Sequence, residues 1–152
     1  NVVTVPFDSP GLAAFHIITR VGARNEVEPG VTGFAHFFEH MMFRGTDNYS
    51  KEEYAAALKS TGAAANANTT QDRTAYHMTG NSEKLELMFE LESDRFMNPV
   101  FREFYSERDV VHEERRLRTE STPTGKFDEQ FDAMFWESSP YSWPVIGWPS
   151  LV

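Results

Sequence analysis

The chain has 152 residues, 40% hydrophobic and 24% charged, enough for one domain with a real core and too apolar for a disordered segment. Its formal charge of −9, with 14 Lys plus Arg against 23 Asp plus Glu, argues against non-specific nucleic-acid binding, which needs a basic face. With no cysteine there are no disulfides or thiolate zinc sites, so any metal must be held by histidine and carboxylate, and no apolar run approaches a membrane span.

In chain order, "NVVTV" (1–5) and "LAAFHIITRV" (12–21) are rich in β-branched and aromatic residues and are separated by "PFDSPG". That pattern predicts two strands joined by a turn. The glycines and proline of 22–33 mark a loop, which leads into a helical-looking 34–44. A helix is expected at 51–60, with Ser50 as N-cap and Glu53 three residues on as a capping box. "GAAANANTT" (62–70) has weak propensity for anything, whereas 73–80 alternates like a strand.

Helical signals return at 82–97, capped by Asn81 or Ser82, where Leu85, Met88, Phe89 and Phe96 share one stripe. Pro99 ends that helix, and a long one is expected at roughly 102–121. "TPTGK" then reads as a break before a further helix, "FDEQFDAMFWE", and the aromatic, proline-punctuated tail reads as a loop. Strands mixed with helices predict an α+β layer with helices on one face. The chain opens on Asn1 and stops after a loop, which reads as an incomplete domain.

The chemistry concentrates in "GFAHFFEHMMFRGT" (33–46), an apolar segment holding His36, Glu39 and His40. Four residues on a helix are about 40° of rotation and one turn of rise, so both imidazoles project to one side. That is what two ligands of one tetrahedral zinc require, and Glu39 lies on an adjoining part of the same face. A third ligand is sought among Glu107, Asp109, Glu113 and Glu114 in "SERDVVHEERRL". Glu107 and Glu114 are about two helical turns apart and share a face, while Glu113 lies about 100° from Glu114; pattern alone does not choose between Glu113 and Glu114. His112 falls on a different face and reads as a surface histidine.

"HFFEH" followed some seventy residues later by "ERDVVHEE" resembles the inverted-zincin peptidases of the M16 family, to which pitrilysin and insulin-degrading enzyme belong. "VGARNE", "NAN" before a strand, and "PVIGW" fall in the family's order too, so the similarity runs through nearly the whole chain. The resemblance implies an α+β domain with an antiparallel-rich mixed sheet and helices packed on one face. It makes His36 and His40 ligands of one zinc and selects Glu114 as the third. Glu39 becomes the general base and Glu107 a carboxylate supporting the ligands.

Asn66 and Ala67 match a sheet edge where the family's peptide substrate adds as a strand. The implied reaction is endopeptidase hydrolysis of peptides or short unfolded polypeptides by a zinc-activated water. The alternative is a non-catalytic scaffold or substrate-binding subunit, but such relatives typically lose part of the zinc motif, and His36, Glu39, His40 and Glu114 are all present here. Residues 1–152 are expected to be part of a single zinc-bearing N-terminal domain that needs a second M16-like half, from the same chain or a partner subunit. An exported, periplasmic bacterial enzyme is favoured over a cytoplasmic or mitochondrial one. Phe37, Phe38, Met41, Met42 and Phe43 are expected to wall the site, Tyr76 and His77 to pack, and Trp143 and Trp148 to pack or line a cleft.

Overall fold

A computed structural model describes residues 1–28 and 30–149. Strands β1 (Leu12–Thr19), β2 (Ala64–Thr69) and β3 (Thr74–Asn81) form one antiparallel sheet in the order β1–β3–β2. Helices α1 (Phe34–Met41), α2 (Lys51–Ser60), α3 (Leu85–Met97), α4 (Phe104–Arg115) and α5 (Pro123–Phe135) complete the α+β architecture. No described helix is long and apolar enough to cross a membrane.

Alternation along the strands separates the two faces of the sheet. Tyr76 and Met78 of β3 point under the helices and are buried, and Phe15 of β1 meets Phe89 of α3 at 4.9 Å on that side. On the opposite face His16, His77 and Asn66 stand in one row across the three strands, with the two imidazoles stacked 5.6 Å apart.

Under the sheet, Arg95 of α3 is buried between the rings of Phe43 and Tyr76, 4.7 and 4.8 Å from their centroids, and pairs with Glu92. The Tyr54 hydroxyl of α2 donates to the same Glu92, and burial pushes the Tyr76 hydroxyl up to about 12. A second cluster of Phe37, Met41 and Val111, with Ile146 packed against it, ties α1 to α4 and to the C-terminal loop.

Several expectations need correcting. Residues 1–5 form no strand; Val2 and Val3 are 96% and 82% exposed, because β propensity yields nothing without a partner ladder and a face to bury. Conversely the weak 64–69 segment is a strand, since β3 pairs with it along its whole length.

"TPTGK" is no break. Thr122 caps α5 by accepting the Gly125 N–H (3.1 Å), and Pro123 starts the helix, where its missing N–H costs nothing. The long helix expected at 102–121 is α4 followed by a π-helical turn at Arg116–Glu120. In α3, Phe89 is half exposed and the buried positions are Met88, Leu91, Glu92, Asp94 and Arg95. The Ser50 capping box of α2 is present as expected, and Asn81 rather than Ser82 caps the turn before α3.

Candidate metal centre

Helix α1 is positioned at its start by a residue with no local signal. Gly33 takes the left-handed conformation there (φ 89°), and its N–H and that of Ala35 donate to the Glu26 carboxylate at 2.7 and 2.6 Å. Glu26 thus supplies from the preceding loop the acceptor a helix N-terminus needs. Burial pushes its carboxyl above the ordinary range, against the pull of these hydrogen bonds. Gly147 packs so closely on Thr32 and Gly33 that an added Cβ would lie 2.7 Å from the Thr32 carbonyl oxygen. Trp143 and Trp148 belong to that brace and do not line the cleft over α1 and α4: Trp143 Nε1 donates to the Ala23 carbonyl, and the Trp148 N–H donates to Thr32 Oγ1.

With α1 held against α4, His36 Nε2 and His40 Nε2 lie 3.7 and 3.3 Å from Glu114 Oε2. These three side chains are the one group of metal-type ligands converging within 4.8 Å among the described residues. Bonds of about 2.0–2.2 Å to a tetrahedral zinc put neighbouring donors about 3.3–3.6 Å apart; the His40 pair falls at that spacing and the His36 pair just beyond it. At 3.7 Å the His36 pair is also too long for a hydrogen bond, and two nitrogens with one carboxylate oxygen suit zinc chemically. Glu113 is not in the group and pairs with Arg116 at the surface. His112 takes no part in the group.

The protonation pattern suits a ligand set. His40 Nδ1 lies 2.8 Å from Glu107 Oε1, so a neutral ring donating there would turn its Nε2 lone pair toward Glu114. Glu107 is buried, and its other oxygen pairs with Arg44, which also holds Glu103 at 2.8 Å. Burial, and then the neighbouring His40, push His36 down to about 4, so its imidazole is neutral at ordinary pH. Glu39 is 9% exposed and its Oε2 accepts the Thr69 hydroxyl. Burial raises the Glu39 carboxyl, while the Thr69 bond and His40 pull it back.

A cleft of about 1210 Å3 opens over these groups, with Asn66, Ala67 and Thr69 of β2 on one wall and α4 on the other. β2 is an edge strand, and the Ala67 N–H donates to Asn66 Oδ1. The Asn66 side chain projects to the exposed face, whereas Ala67 and Thr69 face the helices. Of the expected apolar wall, Phe37 and Met41 are buried and Phe43 lines the cleft, but Phe38 is 47% exposed against Phe101. No local pattern points to Thr69, Arg44 or Glu26: Thr69 and Arg44 meet partners 30 and 63 positions away, and Glu26 caps α1 from the loop before it.

An antiparallel sheet flanked by helices, with two histidines and a glutamate converging over its edge, has the form of a metallopeptidase domain. The chain belongs to the Insulinase family, peptidase family M16, whose model matches residues 9–147. It is 35% identical over 150 residues to zinc protease PqqE of Helicobacter pylori, covering 97% of this chain and 34% of that protein. It is 32% identical to a zinc protease of Mycobacterium leprae, covering 97% of this chain and 33% of that one. The crystal structure of a protease from Helicobacter pylori superposes with a TM-score of 0.87 at 34% identity, over 95% of this chain and 35% of that chain. An M16 inactive domain from Pseudomonas fluorescens shares the fold at TM-score 0.81 and 15% identity, over 93% of this chain and 35% of that chain. The chain thus spans about a third of the length of these relatives.

Proposed function

We propose that residues 1–152 are the zinc-bearing part of an inverted-zincin endopeptidase, in which His36, His40 and Glu114 hold one Zn2+. The observation that carries this reading is the convergence of those three side chains beside a buried carboxylate, Glu39, that the ligand set does not use. A zinc held by these three residues would supply acidification of a water and polarisation of a scissile carbonyl. Glu39 accepts a proton from the attacking water and returns it to the leaving amine. Thr69 holds its Oε2, and its Oε1 has no hydrogen-bond partner among the described residues, so Oε1 is the atom that carries the proton.

Glu107 fixes the ring and tautomer of His40 by accepting its Nδ1–H. The free edge of β2 at Asn66 and Ala67 receives an extended peptide by strand addition, and small side chains there permit close backbone approach. A second M16-like half, from the same protein or a partner, covers the peptide. The names of the relatives, zinc proteases, support the peptidase reading. The complete donor set argues against a non-catalytic scaffold.

Glu39→Gln in the whole protein tests the assignment. Zinc content is expected to stay at one per chain, while cleavage of a quenched fluorescent peptide falls by at least about 100-fold, the scale of general-base catalysis. Cleavage at the parent rate would remove Glu39 from the role. A parent protein that binds zinc and cleaves no peptide would instead favour the scaffold.

A further inference from the structure

Glu114 uses its two oxygens differently. Oε2 faces both histidine Nε2 atoms, whereas Oε1 is 2.6 Å from Nη1 of Arg118, one helical turn further on. From this geometry we infer that Arg118 is a positioning residue: it occupies Glu114 Oε1 and so leaves Oε2 alone to the metal. This rests on the zinc reading of His36, His40 and Glu114 given above.

An exposed pair of this spacing adds little to stability, and Arg118 is 78% exposed. Its consequence is orientation, because the Glu114 side chain it holds is only 16% exposed. A carboxylate with both oxygens free can rotate, or chelate through both; one whose second oxygen is occupied presents a single donor. That keeps ligation by this residue to one bond and preserves the open coordination position that a catalytic zinc requires.

The backbone beneath Arg118 is also fixed. Arg118 lies in the π-helical turn Arg116–Glu120 that follows α4, a local irregularity that recurs at functional sites. The Thr122 hydroxyl donates to the Arg118 carbonyl at 2.8 Å while accepting the Gly125 N–H. A Cβ on Gly125 would lie 2.5 Å from the Arg118 carbonyl oxygen, so α5 can seat against this turn only with glycine there. The first turn of α5 therefore braces the residue that holds the ligand. Arg116, two residues earlier, makes the contrasting case: it pairs with Glu113 on the outer surface and is the natural control.

Zinc affinity by chelator competition, and the visible absorption of the Co2+-substituted chain, test the assignment on Arg118→Ala, Arg118→Lys, Gly125→Ala and Arg116→Ala. Removing a group that orients a ligand typically weakens metal binding about 10- to 100-fold. Because one hydrogen-bonded oxygen is lost and no ligand is, Arg118→Ala is expected near the lower end, about tenfold. Its Co2+ bands are expected to weaken as coordination rises above four. Arg118→Lys restores most of both signals, Gly125→Ala falls between parent and Arg118→Ala, and Arg116→Ala matches the parent. Parent-like affinity and spectrum in Arg118→Ala would overturn the inference while leaving the zinc site intact. A parent chain that binds no zinc would overturn both.

Discussion

Replacing Glu107 by glutamine removes one negative charge from a buried position while keeping the shape of the side chain. Glu107 accepts the His40 Nδ1–H at 2.8 Å and pairs with Arg44, and its side chain is only 6% exposed. A hydrogen bond to a charged group contributes about 1.5–3 kcal/mol, and each 1.4 kcal/mol is about a factor of ten in an equilibrium constant. Full loss of the His40 interaction therefore corresponds to roughly 10- to 100-fold in zinc affinity, the range found for groups behind a metal ligand.

Glutamine keeps one oxygen for His40 but turns an amide NH2 toward Arg44, which retains Glu103. The expected loss for Glu107→Gln is thus about tenfold, and for Glu107→Ala, where His40 Nδ1–H has no acceptor, about 100-fold. Chelator competition with zinc measures both variants, and thermal melting without metal reports whether they fold. Zinc affinities within about twofold of the parent in two folded variants would refute the claim that Glu107 orients His40.

Glu114→Ala is expected to lose zinc and Glu113→Ala to keep one zinc per chain, because only Glu114 faces the histidines while Glu113 meets Arg116 at the surface; metal content of the two purified variants decides. Acid stability is expected to depend on Asp94. Burial alone would raise its carboxyl, but hydrogen bonds from Thr46, Asn98 and Asn48 hold it below the ordinary value. A depressed folded-state pKa contributes stability that is present above the unfolded value, about 3.9, and is lost as pH falls through the folded one. Asp94→Asn should therefore melt below the parent at pH 7, with the gap closing as pH drops below about 4; a gap independent of pH would refute the assignment.

Most of the candidate metal centre was legible in the chain because helical geometry is local. His36 and His40 project to one side of any helix that includes both, and Glu39 stays near them. The pairing of Glu107 with Glu114 followed from the same periodicity, and the structure places both beside His40. Local pattern left the choice between Glu113 and Glu114 open, since it depends on which face of α4 meets α1. It also overstated "NVVTV", whose β propensity has no partner strand, and understated "ANANT", which β3 recruits by pairing. "TPTGK" misled because its proline and glycine read as a break, although Pro at the first helical position and a Thr cap equally start a helix.

The sequence by itself determined the α+β class, the capping box of α2 and the set of His36, Glu39 and His40 on one side of α1, because each rests on local pattern along the chain. Only the tertiary structure decided how that set is held: Glu26 at the start of α1, Thr69 on Glu39 and Arg44 on Glu107. Two of these contacts, Thr69 with Glu39 and Arg44 with Glu107, join residues 30 and 63 positions apart, and no periodicity along a helix or strand encodes which distant side chains packing will bring together.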